Sequence, residues 1–166
     1  RVPPAMFHGE PSPLPGPLMP TVLCTLPVPV PPEAVWSVLC DTAHWSRWNP
    51  AQPYFRGPAT VGAPIQIAVK LGPLTVPFPA RVQHASISEG LWWTGGTRLL
   101  FHAAHGITVK ATAEGSVIVQ EERFSGPLAW LLWPVMKTML HTAYAAANAG
   151  LAAAAVQQHK STTQQP

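Results

Sequence analysis

After Gly126-Pro127 the chain runs to its end with a single glycine, Gly150, through a stretch dominated by leucine and alanine. Residues 52–124 do the opposite: turn pairs at Gly57-Pro58, Gly72-Pro73, Glu89-Gly90, Gly95-Gly96 and Glu114-Gly115 cut them into short apolar runs. Many good helix formers with so few breakers read as one long terminal helix. Short β-prone runs between turn pairs read as an antiparallel meander. Such a sheet must bury one face, and the terminal helix is the element available to cover it. The sequence therefore specifies an α+β domain, expected over residues 21–160.

The strand candidates are 54–57, 63–71, 75–87, 90–95, 98–105, 106–112 and 116–124, preceded by a first strand at 21–27. Between that strand and the meander, Pro31-Pro32-Glu33 opens a helix, since proline suits the first turn and Glu33 the positive end of the dipole. Val35, Val38 and Leu39 follow at helical spacing, and Asp41-Thr42 is placed to cap a second short helix carrying His44, Trp45, Arg47 and Trp48. Asn49-Pro50 stops it. Pro134 is expected to kink the terminal helix or to split off its first turn. Lys137, His141 and Asn148 interrupt residues 128–156, which argues for a helix covering the sheet over one spanning a membrane. Residues 1–20 carry seven prolines and are expected to form an extended tail, and 161–166 a disordered one.

Composition narrows the function classes. The chain of 166 residues is 47% hydrophobic and 10% charged, and its net charge of +3 comes from scattered cations without a basic run. Nucleic-acid binding needs clustered cations, so no nucleic-acid partner is expected. Cys24 and Cys40 are too few for a disulfide scaffold and read as free thiols. The proline-broken start has no apolar h-region, and a cytoplasmic location is expected. Nucleophile elbows, phosphate loops, dinucleotide fingerprints and Cys/His triads are all missing, which argues against hydrolases, kinases and nicotinamide enzymes.

A run of motifs carries a resemblance. It begins with Val30-Pro31-Pro32-Glu33-Ala34-Val35-Trp36-Ser37-Val38-Leu39 and continues through Trp48-Asn49-Pro50, Arg56-Gly57, Val61-Gly62 and Leu91-Trp92-Trp93. Glu122-Arg123-Phe124-Ser125-Gly126 follows, and the pattern ends at Tyr144, Asn148 and Leu151. In this order and spacing the chain resembles the START-like superfamily SRPBCC, in its polyketide cyclase/dehydrase-like branch, over residues 21–158. The resemblance implies a helix-grip fold: a curved seven-stranded antiparallel sheet wrapped around the C-terminal helix, two short helices after strand 1, and an internal apolar cavity. Members bind lipids, sterols, plant hormones or polyketides, and a minority catalyse cyclisation, dehydration or isomerisation.

The residues themselves suggest where chemistry would sit. A last hairpin turning at Ala113-Glu114-Gly115-Ser116 would place Ile107 opposite Glu122, Val109 opposite Gln120 and His105 opposite Phe124. Alternation then puts these six and Ile118 on the inner face, with His105 and Glu122 diagonal to one another. A carboxylate in an apolar cavity has its charged form disfavoured, so the pair forms a candidate acid and base. The competing reading is two satisfied buried polar groups that orient a ligand. Phe78, Val82 and His84 are expected to face the cavity, Trp45, Trp48 and Trp93 to wall it, and Trp92 to point outward. Tyr144 and Asn148 are ligand-binding candidates on the terminal helix. His44 and Arg47 are candidates for the rim. His102 and His105, three apart on a strand, point to opposite faces and cannot share a metal ion.

The expected function is binding of a small hydrophobic molecule, polyketide, terpenoid or lipid-like, with cyclase, dehydratase or isomerase chemistry as a further step and no cofactor. The alternative is a carrier without catalysis, or a membrane- or partner-docking module using the Trp130–Trp133 segment.

Overall fold

The structure, a computed structural model, describes residues 19–71 and 74–164. The expected turn at Gly72-Pro73, the proline-rich tail up to residue 18 and the last two residues lie outside the described residues. Strand β1 (Thr21–Val28) leads into helix α1 (Pro32–Cys40), a short 3₁₀ segment (Thr42–Arg47), and the strands β2 (Phe55–Arg56) and β3 (Pro64–Leu71). Then come β4 (Leu74–Ser86), β5 (Gly90–Thr97), β6 (Phe101–Thr112), β7 (Gly115–Ser125) and helix α2 (Pro127–Thr163). The seven strands form one antiparallel sheet in the order β1-β7-β6-β5-β4-β3-β2. This is the helix-grip α+β fold that the sequence leads one to expect.

Five details differ from the sequence reading. The candidates 98–105 and 106–112 are one strand, β6, because Gly106 continues the ladder opposite Glu121 and Trp92. Its lack of a side chain serves packing here: a Cβ would lie 2.2 Å from the Trp92 ring. Asp41 does not cap the 3₁₀ segment through its side chain but pairs with His44 Nδ1 at 2.7 Å. Pro20 belongs to the domain, since its carbonyl accepts the Phe124 N–H at 2.8 Å. Residues 161–163, expected as tail, extend α2, and Pro134 lies inside this helix without splitting off its first turn.

Gly126 starts α2 at φ 99°, a conformation that side chains disfavour, and a Cβ there would meet the Leu100 carbonyl at 2.4 Å. From there Leu140, Tyr144, Ala147, Asn148, Leu151 and Ala155 recur at three- and four-residue intervals and form the buried stripe of α2. The stripe packs on β1, β7 and α1. Burying a side chain such as Leu151 contributes roughly 1.5–3 kcal/mol. At 37 residues, with about 1.5 Å rise per residue, α2 is the longest element, and its first turns pack at the β5–β6 turn, where Ala129 is buried and Trp133 meets Phe124.

Cys24 and Cys40 are free thiols, and burial pushes both above the usual thiol range. Thiolate is therefore scarce near neutral pH, and both should react with a thiol-disulfide reagent more slowly in the native protein than in denaturant; equal rates would contradict this environment. Gly150 makes a sharper test. A Cβ at Gly150 would lie 2.0 Å from the Trp48 carbonyl oxygen. Helix propensity alone says that Gly150→Ala stabilises by about 1 kcal/mol. The close approach reverses the sign, and the variant should lose about 1–3 kcal/mol in denaturant unfolding.

Candidate functional site: an apolar cavity with one carboxylate

Between the concave face of the sheet and α2 lies a cavity of about 300 Å³. It exists because α2 packs along the β1–β7 side, leaving the inner faces of β3, β4 and β5 without a helix over them. Fifteen of its twenty lining residues are apolar or glycine; the others are Gln52, Lys70, His105, Glu122 and Tyr144. Among the described residues, Glu122 is the only carboxylate in the lining.

The register of the last hairpin sets this cluster. Thr112 pairs with Gly115 across a turn of Ala113-Glu114, so the register is two residues away from the expected one. A shift of two keeps every side chain on its face. It changes the partners: His105 lies directly opposite Glu122, Ile107 opposite Gln120, and Val109 opposite Ile118. The Tyr144 hydroxyl, reaching across from α2, donates to Glu122 Oε2. His105 Nδ1 stands 3.7 Å from Glu122 Oε1, beyond direct hydrogen-bond distance. The other ring nitrogen, Nε2, lies 2.9 Å from the Gln120 side-chain nitrogen. With that amide donating, Nε2 accepts, and the neutral ring carries its proton on Nδ1, facing Glu122; heavy-atom positions assign this tautomer through the amide orientation.

Aromatic packing holds the histidine ring. Trp93 stacks on it at 4.4 Å and 12°, and Tyr144 meets it edge-on at 4.9 Å. Trp45 lies 6.1 Å from Trp93, and Phe55 5.5 Å from it. Trp45 and Trp48 are buried but lie outside the cavity lining. The expectation that they wall the cavity is thus corrected: Trp45 backs Trp93 and Trp48 packs on Trp45 at 4.4 Å, because the 3₁₀ segment packs at the β2 edge of the sheet.

Of the other sequence candidates, Phe78, Phe124 and Tyr144 line the cavity. Val82, Ile107, Val109, Gln120 and Asn148 are buried among neighbouring side chains and do not line it. Asn148 donates to the Cys24 carbonyl at 3.3 Å and so ties α2 to β1. His84 is a correction of face. The β4–β5 register shifts between Val82 and His84, and this bulge turns His84 outward, 3.7 Å from Glu89. His44 and Arg47 are exposed and away from the cavity. Trp92 points outward as expected, under the Arg123 guanidinium. His102 is on the opposite face of β6 from His105, and burial, then the charge of Arg98, holds it below the usual histidine range. Among the described residues no three His, Cys, Asp or Glu side chains converge as metal ligands would.

Sequence reasoning missed the helix wall of the cavity. Leu132, Met136, Met139, Leu140 and Ala143 line it together with Tyr144, at a helical spacing that a search for a second stripe on α2 would have found. Gln52 was also missed. It sits in an irregular segment whose turn is closed by Asn49 Oδ1, which accepts the Gln52 N–H at 2.9 Å. No local pattern announces such a position.

The family model for polyketide cyclase / dehydrase and lipid transport matches residues 19–156. No curated protein matches the sequence significantly. Solved structures share the fold at low identity. The di-domain ARO/CYC StfQ from the steffimycin biosynthetic pathway superposes with a TM-score of 0.70 at 11% identity, over 86% of this chain and 52% of that one. The Zhui aromatase/cyclase from Streptomyces sp. R1128 gives 0.68 at 12%, over 83% and 94%. TTHA0849 from Thermus thermophilus also gives 0.68 at 12%, over 83% and 98%. At these identities the likeness concerns the fold.

The Tyr144 hydroxyl supplies a hydrogen bond to a buried carboxylate. Tyr144→Phe should therefore destabilise the protein by roughly 1–3 kcal/mol in thermal or denaturant unfolding. A loss near zero would mean that the hydroxyl and Glu122 are not paired in solution.

Proposed function

Since the chain belongs to the polyketide cyclase/dehydrase and lipid-transport family, we propose that its cavity binds one small, largely apolar molecule of polyketide, terpenoid or lipid-like kind. The molecule turns a polar group toward Glu122, Tyr144 and His105. The observation that carries this reading is an apolar void of about 300 Å³ with one polar cluster on its wall. That volume sits at the lower end of the roughly 300–1,000 Å³ of small-molecule pockets, which favours a compact ligand. Apolar walls supply affinity through burial, and the cluster supplies orientation.

Filling the void tests the proposal. Ala143 lines it, and Ala143→Leu should weaken uptake of a fluorescent apolar probe by about tenfold, the scale of one to two extra buried methylenes turned against the ligand. Native mass spectrometry of the purified protein should show a co-purifying small molecule in the wild type. Absence of both uptake and co-purified ligand would end the reading.

One observation favours chemistry as well as binding. Tyr144, Glu122, His105 and Gln120 form a chain in which the facing atoms of His105 and Glu122 are 3.7 Å apart. A ligand oxygen against that gap is within reach of a proton donor, the His105 Nδ1–H, and of an acceptor, the Glu122 carboxylate. Cyclisation, dehydration and isomerisation each need a proton taken from one ligand atom and delivered to another. The aromatase/cyclase names of two proteins of like fold agree with this. Glu122→Gln should then lower turnover of an accepted polyketide or enone by about 10²–10⁴-fold while probe affinity stays nearly constant. Unchanged turnover would end the assignment of Glu122 as the proton acceptor, and a wild type that turns nothing over would leave a carrier without catalysis.

A further inference from the structure

The two ends of the sheet have opposite character. At one end the β4–β5 and β6–β7 turns carry Glu89 and Glu114. At the other end lie the adjoining ends of β3 and β4, the β5–β6 connection and the first turns of α2, which meets the β5–β6 turn where the Leu128 N–H donates to the Leu100 carbonyl at 3.1 Å. Among the described residues, thirteen large hydrophobic side chains are exposed, and nine of them fall here. Two lie within residues 74–76, two at 99–100 and five within 130–139. Leu99 is 91% exposed, Leu131 74% and Val135 75%. Dispersed exposed leucines need no explanation, but such a concentration does.

The cavity opens into this patch. Val76, Leu132 and Met139 are exposed and also line the cavity. Among the described residues the charge around the mouth has one sign. Lys70 lines the cavity, Arg98 sits in the β5–β6 turn, and Lys137 follows the lining residue Met136 on α2, against the start of β1. No Asp or Glu occurs in residues 42–88, 90–113 or 123–166. An apolar surface with a tryptophan, Trp130, at its edge and only cations around it complements a bilayer bearing anionic lipid headgroups.

We propose that this end of the molecule docks on an anionic membrane surface, with Leu99, Leu131 and Val135 entering the headgroup layer and Arg98 and Lys137 facing lipid phosphates. The cavity mouth then faces the bilayer, so an apolar ligand passes between lipid and protein without crossing water. The docking itself does not depend on the ligand-binding reading. Leu131 and Val135 do not line the cavity, so the two fail separately.

The test is co-sedimentation of the full chain with vesicles of phosphatidylcholine alone and of phosphatidylcholine with phosphatidylserine. The wild type should partition onto the anionic vesicles, less onto the neutral ones, and less again at high salt. Leu131→Glu with Val135→Glu should reduce partitioning by roughly tenfold or more, with an unchanged far-ultraviolet spectrum and unchanged probe uptake in solution. Arg98→Glu with Lys137→Glu should remove the preference for anionic lipid. The proposal is overturned if the wild type ignores both vesicles, or if the Leu131/Val135 variant binds as the wild type does. It is equally overturned if size-exclusion light scattering shows a dimer that this variant breaks apart, since a second copy then covers the patch.

Discussion

A single long helix laid along one side of a curved sheet is the constraint from which the rest follows. The stripe from Leu140 to Ala155 binds α2 to β1, β7 and α1, and Gly150 lets the helix approach the Trp48 backbone closely. Held there, α2 cannot also reach the inner faces of β3, β4 and β5. The void is the geometric remainder. It stays apolar because alternation along each strand sends the same kind of side chain to that face.

The polar cluster sits where this arrangement makes it both rigid and dry. His105 is 1% exposed, stacked on Trp93, and held at its far nitrogen by Gln120. Trp45 and Phe55 brace Trp93 in turn. Tyr144 comes from the helix and Glu122 from the sheet, so the cluster also joins the two layers. A site built this way keeps its geometry only while the helix remains seated. Stability and ligand orientation here share the same contacts.

At the end of the sheet away from Glu89 and Glu114, the first turns of α2 pack one side on the sheet and leave apolar side chains on the other side exposed. Six apolar residues in a row, Leu128 to Trp133, cannot all face inward on one helical surface. Ala129 is buried there while Leu131 lies open to solvent. Leu132 and Met139, exposed on the same turns, also line the cavity.

Periodicity determined the element types, the meander followed by one covering helix, and the inner face of β6 and β7 with His105, Glu122 and Phe124 on it. These are local properties, set by side-chain alternation and turn chemistry, and they survived a register error of two residues because alternation has a period of two. The tertiary structure alone decided what no short window contains. It paired His105 with Glu122, brought Tyr144 onto the carboxylate, turned His84 outward at a bulge, and set Trp45, with Trp48 packed on it, behind Trp93. Each of these depends on where two distant segments come to rest against each other, and that is settled by packing across the whole domain.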